Sequence, residues 1–131
     1  MASSESYPDD LKYHPEHDWA RIDGDEAVLG ITWFAQDALG ELVHYEPPGA
    51  ADAVSKDSAY AEVESVKAVS DVIAPLSGEV LEVNQNVVDE PQKVNEDPYG
   101  EGWLVRIRLT DPSEADSLLD VDAYKQVVAD S

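Results

Sequence analysis

The 131-residue sequence contains no cysteine, and it has only eight lysine and arginine residues against 29 aspartate and glutamate residues. Without cysteine, the chain can form no disulfide, no thiolate-bound zinc site and no cysteine nucleophile. The net charge of −21 leaves no cluster of basic residues that could neutralise phosphates, so we expect no nucleic-acid partner. The acidity favours either solubility or contact with basic patches on other proteins, and the sequence leaves both readings open.

Long apolar runs and common catalytic motifs are missing as well. No segment approaches the roughly 18 consecutive apolar residues of a membrane span, and the first ten residues lack the apolar part of a signal peptide. We therefore expect an intracellular protein with no membrane partner. There is no Gly-rich phosphate loop and no Gly-x-Ser-x-Gly elbow. His14 and His17 flank Glu16, but Pro15 disfavours a helix there, so we expect no metal site.

Short apolar runs separated by turns predict a mostly β fold. We expect a flexible segment over residues 1–10 and one domain over residues 11–131, because this length supports a single core. Thr32 and Gly40 are suited to cap a short helix between them. The run "WLVRIRL" (103–109) alternates strictly, which predicts a strand with Trp103 on its apolar face.

The last 21 residues change from strand to helix patterns. Asp111 and Pro112 are suited to begin a helix, and Glu114 is placed to complete a capping box. An apolar stripe further on predicts two helices packed against the sheets; it comprises Leu118, Leu119, Tyr124, Val127 and Val128.

A hairpin is predicted around Lys67. Residues 59–64 and 69–74 read as two strands joined by a loop over Ser65–Ala68, which places Lys67 near the tip. Exposed lysines are common and usually have no special role. This one has apolar neighbours, Val66 and Ala68, and its loop contains no glycine. A single amine at a tight tip is accessible to another enzyme, so an attachment point for a modification is the alternative.

The residues around Lys67 resemble a known family. "VESVKAVSD" followed by "APLSGEVLEVN" is similar to the lipoyl-lysine region of the glycine cleavage system H protein. The segments "LKYHPEHDW", "VLGITWFAQDALGELV" and "VNEDPYGEGWL" resemble further blocks of that family, in the same order. Together they cover most of residues 11–109.

The resemblance implies a fold, a cofactor and a function. The fold would be a lipoyl-type flattened barrel of two small antiparallel sheets, with short peripheral helices, two of them near the C-terminus. Lys67 would carry lipoate, and Glu64, Ser65, Val66 and Ala68 would flank it for recognition. The chain would be a non-catalytic, monomeric carrier in the bacterial cytoplasm, or in the mitochondrial matrix if it is a processed eukaryotic form.

The resemblance also implies the partners. Glycine decarboxylase (P protein) would load an aminomethyl group, aminomethyltransferase (T protein) would pass it on, and dihydrolipoamide dehydrogenase (L protein) would reoxidise the arm. A lipoate ligase or lipoyl transferase would attach the cofactor. Glu16, Asp18 and Asp71 match positions of a cleft that holds the loaded arm. The family usually has Ser-His-Glu where Glu16 to Asp18 stand, and Trp33 replaces a small acid.

Other carriers fit the residues less well. A lipoyl domain of a 2-oxo-acid dehydrogenase would have Asp where Val66 stands, and a biotin carrier would have Met on both sides of the lysine. A small metal enzyme using His14 and His17 is the enzymatic alternative. A lipoate relay that does not serve glycine cleavage also stays open.

Overall fold

The computed structural model describes residues 4–49 and 51–131. These residues form the strands β1 (Lys12–His14), β2 (Asp18–Asp23), β3 (Glu26–Ile31), β4 (Leu42–Glu46), β5 (Ala53–Val54), β6 (Ala59–Ser65), β7 (Val69–Ile73), β8 (Gly78–Val83) and β9 (Val105–Leu109). The helices are α1 (Trp33–Leu39), α2 (Gln85–Asp89), α3 (Lys93–Glu96), α4 (Val121–Ala129) and a 3₁₀ helix, Pro112–Ser117.

The strands form two antiparallel sheets of unequal size. One sheet has six strands in the order β1-β2-β3-β9-β8-β5, and the other has three in the order β4-β6-β7. The mostly β fold with two antiparallel sheets and short helices is confirmed. One sheet is larger because β9 pairs with β3 on one side and with β8 on the other, and so joins the N-terminal strands to strands from the middle of the chain.

The predicted strand at 103–109 is confirmed in its C-terminal part. Val105, Ile107 and Leu109 are buried, whereas Arg106 is half-buried and Arg108 is exposed. Trp103 lies before the strand and is only partly buried, so its predicted place on the strand face is wrong.

The helix α1 begins and ends where its sequence predicts. The Thr32 hydroxyl accepts a hydrogen bond from the Ala35 N–H at 3.3 Å, and Gly40 follows the helix with φ of 86°. A positive φ favours glycine because it has no Cβ. The helices α2 and α3 were not predicted, although Asn84 caps α2 by accepting a hydrogen bond from the Asn86 N–H.

The C-terminal helices are confirmed, with one difference in the capping. Asp111 caps the first of them, which is a 3₁₀ helix, and Asp120 caps α4. Glu114 does not complete a capping box. Its carboxylate instead accepts hydrogen bonds from the Ser77 N–H at 2.7 Å and the Ser77 hydroxyl at 2.9 Å, which fastens the 3₁₀ helix to the turn before β8.

The predicted flexible segment, residues 1–10, falls partly outside the described residues. Within residues 4–10, the Ser6 carbonyl accepts a hydrogen bond from the Tyr99 hydroxyl at 2.7 Å, and the Pro8 carbonyl accepts one from the Tyr13 hydroxyl at 2.6 Å. These two bonds attach part of the segment to the domain. Its flexibility remains a prediction.

Tyr60 lies between the two main parts of the core. One hydrophobic cluster includes Leu29 and Ile107 of the six-stranded sheet, and a second includes Tyr45 and Val63 of the three-stranded sheet. Tyr60 packs against both clusters. A third cluster is aromatic and joins the N-terminal strands to α4. No helix within residues 4–49 and 51–131 has both the length and the apolar character needed to cross a membrane.

Candidate functional site

The hairpin of β6 and β7 carries Lys67 at its tip, as predicted. The last register pair is Glu64 with Val69, and the Ser65 N–H donates to the Ala68 carbonyl at 2.8 Å. The loop therefore consists of residues 66–68. None of these three residues has a positive φ, so the turn needs no glycine.

Ser65 holds this loop with its side chain. It is buried, with 4% of its surface exposed. Its hydroxyl oxygen accepts hydrogen bonds from the Lys67 N–H at 3.3 Å and the Ala68 N–H at 3.1 Å, and the hydroxyl reaches the Ala68 carbonyl at 3.4 Å. The backbone of Lys67 is consequently fixed by a residue that precedes it, whatever its own side chain does.

The surface around Lys67 is apolar at its centre. Lys67 is exposed. Val66 and Val69 are 76% and 58% exposed, and Val43, the extra residue of a bulge in β4, is exposed as well. Exposed valines grouped around one residue are typical of a surface that contacts another protein. Glu64 adds an exposed negative charge beside them.

The Lys67 side chain lies over Gly40, at the end of α1. A Cβ on Gly40 would be 3.5 Å from the lysine Cε. Asn95 fixes Gly40 in this place, because its side-chain amide donates to the Gly40 carbonyl at 2.9 Å and its oxygen accepts from the Leu42 N–H at 2.9 Å. A cavity of about 300 Å³ opens beside Gly40. Its lining comprises Gln36, Asp37, Gly40, Glu41, Gln92, Asn95 and Glu96.

Asp18 is the most perturbed acid near the hairpin. It is only 3% exposed, and its Oδ2 has no hydrogen-bond partner among the described residues. Burial raises the pKa of Asp18 well above its ordinary value, and the charge of Glu16 adds to the rise. A hydrogen bond from the Ile73 backbone in β7 acts in the opposite direction. The carboxyl therefore reaches from the six-stranded sheet to the lysine hairpin.

The other two predicted cleft acids are exposed. Glu16 lies close enough to Asp18 to raise its pKa. Asp71 stands opposite Glu62 in the hairpin and does not contribute to the pKa shift of Asp18. The structure thus brings Glu16 and Asp18 together, and the arrangement of all three as one cleft remains a prediction.

The histidines have structural partners. His14 Nδ1 accepts from the Glu16 N–H at 3.0 Å, and its Nε2 lies 2.7 Å from an Asp57 carboxylate oxygen. His17 Nδ1 lies 2.8 Å from the Tyr124 hydroxyl, and burial lowers the pKa of His17. Within the described part of the chain, no three His, Asp or Glu side chains are grouped as metal ligands.

Comparison with known proteins decides the family. The model of the family described as "Glycine cleavage H-protein" matches residues 11–131. The chain belongs to this family. The glycine cleavage system H protein of Halorhodospira halophila is 53% identical over 124 residues, which cover 94% of this chain and 95% of that protein. The one of Carboxydothermus hydrogenoformans is 47% identical over 121 residues, which cover 92% and 93%.

A solved H-protein structure has the same fold. The crystal structure of a glycine cleavage system H protein from Mycobacterium marinum superposes with a TM-score of 0.87 at 39% identity, covering 94% of this chain and 99% of that one. H proteins are the lipoyl-carrying shuttles of glycine cleavage, with lipoate on a lysine. The family and fold class predicted from the sequence are confirmed, and so are the shuttle function and the cofactor at the level of the family.

The residues at the hairpin tip fit a covalent lipoyl group. The group needs an exposed primary amine on a backbone that resists bending, and Lys67 supplies the amine while Ser65 holds the backbone. The orphaned Oδ2 of Asp18 is a second point of fit, because a carboxylate can hold an ammonium group through charge-assisted hydrogen bonds.

Tyr60 is a residue of this H protein that the sequence patterns missed. Its hydroxyl is buried and has no hydrogen-bond partner among the described residues. By alternation it should share the exposed face of Glu62 and Glu64. The register of β6 against β7 shifts between Ala59 and Ala61, so Tyr60 is the extra residue of a β-bulge and turns into the core.

Proposed function

We propose that this chain is the lipoyl-bearing shuttle of a glycine cleavage system and that lipoate is joined to Lys67 Nζ through an amide bond. The observation that carries the proposal is an exposed lysine, alone at the tip of a hairpin whose turn is held by Ser65, in a member of the H-protein family. When bound, the lipoyl group supplies a dithiolane that accepts an aminomethyl group and two electrons.

The tip residues have separate roles in this proposal. Ser65 keeps the lysine backbone in one conformation, so the modifying enzyme meets the same geometry in each molecule. Val66 and Val69 provide apolar contact, and their burial by a partner contributes about 25 cal/mol for each Å² removed from water. Glu64 and Ala68 complete the recognised surface, with Glu64 selecting a basic group on the partner.

The acids behind the tip form the proposed cleft for the arm. A lysine with an attached lipoyl chain reaches about 10–15 Å, given bonds of about 1.5 Å. That reach allows the amine carried by the arm to return to the carrier, where Asp71 and Glu16 are exposed and Asp18 is buried. Carboxylates hold an ammonium group through charge-assisted hydrogen bonds. Replacing Asp18 and Asp71 together with Asn should accelerate loss of the carried aminomethyl group, and an unchanged rate would remove the cleft from the proposal.

The chain needs other proteins for every chemical step. The family implies the P, T and L proteins of the glycine cleavage system as partners. We propose in addition that a lipoate ligase or lipoyl transferase modifies the chain, that the carrier is monomeric and has no catalytic activity of its own, and that residues 11–131 are one lipoyl-carrier domain. Its bacterial relatives support a location in the bacterial cytoplasm.

Intact-mass analysis after incubation with lipoic acid, ATP and a lipoate ligase tests the attachment site. The chain has five lysines, and it should gain one lipoyl group, whereas Lys67→Arg should gain none. Lys125→Arg, which changes an exposed lysine on α4, is the matched control and should be modified like the unaltered chain. Modification of Lys67→Arg would overturn the assignment.

A second assay separates the shuttle from a lipoate relay. With a P protein, the lipoylated chain should support decarboxylation of glycine and exchange of the glycine carboxyl carbon with bicarbonate. The unmodified chain should support neither. A relay would be lipoylated at Lys67 and would pass lipoate on, yet it would fail in this exchange. That result would leave the attachment site standing and reject the function in glycine cleavage.

A further inference from the structure

The buried hydroxyl of Tyr60 and the buried carboxyl of Asp18 both lie where the six-stranded sheet meets the hairpin of β6 and β7. They belong to different sheets, since Asp18 begins β2 and Tyr60 is in β6. The Asp18 carboxyl accepts a hydrogen bond from the Ile73 backbone, and Ile73 stands opposite Ala59, the residue directly before Tyr60. The charge of Asp18 also adds to the effect of burial in raising the pKa of Tyr60. They are the two buried side-chain oxygens within residues 4–49 and 51–131 that have no hydrogen-bond partner.

Two such oxygens in one place are unusual in a core. Buried polar atoms are nearly always hydrogen-bonded, and one without a partner costs about 1–3 kcal/mol. A phenylalanine at position 60 would fill the same space without this cost. The hydroxyl of Tyr60 is therefore not explained by packing alone.

Ionisation of Asp18 would supply the missing interaction. A neutral carboxyl costs much less to bury in a dry site than a carboxylate does, and the carboxylate must accept hydrogen bonds to persist there. The Ile73 backbone already provides one. Three ionisable groups interact electrostatically with Asp18. The negative charge of Glu16 disfavours ionisation of Asp18, whereas the hydroxyls of Tyr60 and Tyr124 can donate a hydrogen bond. The Tyr124 hydroxyl is engaged with His17 and Thr32, so Tyr60 is the donor that is free.

We propose that Tyr60 is a positioning residue for Asp18: its hydroxyl donates a hydrogen bond to Oδ2 when the carboxyl ionises, directly or through one water molecule, and so stabilises the charge that an incoming amine needs. The functional part of this inference rests on the proposed function, because the amine is the one carried by the arm. The coupling between the two side chains is a property of the unmodified chain. The proton that Asp18 loses on ionisation goes to solvent.

The test is an NMR titration of the unmodified chain with labelled carboxyl carbons of aspartate. The Asp18 resonance, assigned with Asp18→Asn, should titrate about one pH unit higher in Tyr60→Phe than in the unaltered chain, because hydrogen bonds to charged groups are worth about 1.5–3 kcal/mol and one unit is about 1.4 kcal/mol. Tyr13→Phe is the control. It removes a buried hydroxyl that donates to Pro8, and it should leave the Asp18 titration unchanged.

A second measurement uses the unaltered chain, so it does not depend on whether a variant folds. The Tyr60 Cζ resonance should move at the pH where Asp18 titrates, whereas the Tyr13 Cζ resonance should not follow it. A Tyr60 resonance that ignores Asp18, or a Tyr60→Phe titration equal to that of the unaltered chain, would overturn the inference. Neither result depends on lipoylation, so failure here is distinguishable from failure of the mass analysis with Lys67→Arg.

Discussion

Asp18→Asn should stabilise the protein, and the gain should grow with pH. Burial holds the pKa of Asp18 well above its ordinary value of 3.8. Between these two values the folded chain binds a proton that the unfolded chain has lost, so the free energy of unfolding falls as pH rises. Asparagine keeps the shape of the side chain and has no proton to lose, so the variant escapes this fall.

The size of the effect follows from linkage. One site that is protonated in the folded state and ionised in the unfolded state changes the free energy of unfolding by about 1.4 kcal/mol per pH unit. The difference between Asp18→Asn and the unaltered chain should rise with about this slope from just above pH 3.8. It should level off once pH passes the folded-state pKa of Asp18, so the plateau locates that value.

Urea unfolding at a series of pH values measures this difference, and Asp57→Asn provides a control of opposite sign. Hydrogen bonds from His14 and Lys56 lower the pKa of Asp57, so its stabilisation is present above the ordinary aspartate value and is lost as pH falls through the lowered one. Asparagine tolerates the φ of 70° at this position. If the Asp18→Asn difference is flat, or declines as pH rises, the carboxyl does not carry a burial penalty and the reasoning fails.

Three further substitutions test the hairpin and the aromatic cluster. Ser65→Ala should cost about 1–2 kcal/mol in urea unfolding and slow lipoylation of Lys67, because the turn loses its side-chain hydrogen bonds; an unchanged ligase rate would show that the enzyme imposes the turn itself. Gly30→Ala should lower the thermal midpoint by the equivalent of about 1–3 kcal/mol, since its Cβ would lie 2.6 Å from the Trp19 ring, and a neutral outcome would mean that the ring moves aside. Tyr124→Phe should cost about 1–3 kcal/mol in urea unfolding because His17 loses its hydroxyl partner; no loss would show that the bond is replaced by water.

The sequence patterns were reliable where neighbouring residues determine the structure. The lysine hairpin follows from alternation and a short loop, and the ends of α1 follow from Thr32 and Gly40. The patterns failed where contacts distant in the chain decide. Glu114 binds Ser77, 37 positions away, instead of its own helix. Trp103 continues the alternation of β9 but lies outside that strand.

The interior of the candidate site could not be predicted for a related reason. Alternation places Tyr60 on the outside, and one extra residue in β6 reverses this. Such a bulge has no marker in "AYAEVES". Asp18 was predicted as a cleft acid by family resemblance, but its burial depends on packing between the two sheets. Local patterns contain no information on that packing, because its members are far apart in the sequence.

Because the Ser65 hydroxyl holds the turn, position 67 is a convenient place to introduce a labelled residue. The turn is shaped by a hydroxyl two residues earlier and by main-chain groups, and the lysine side chain has no share in those bonds. An azide-bearing, fluorescent or spin-labelled amino acid could therefore be introduced there by codon reassignment with the hairpin intact. The scaffold would then display a synthetic probe at the end of a stiff β-ribbon, ready for distance measurements in assembled complexes.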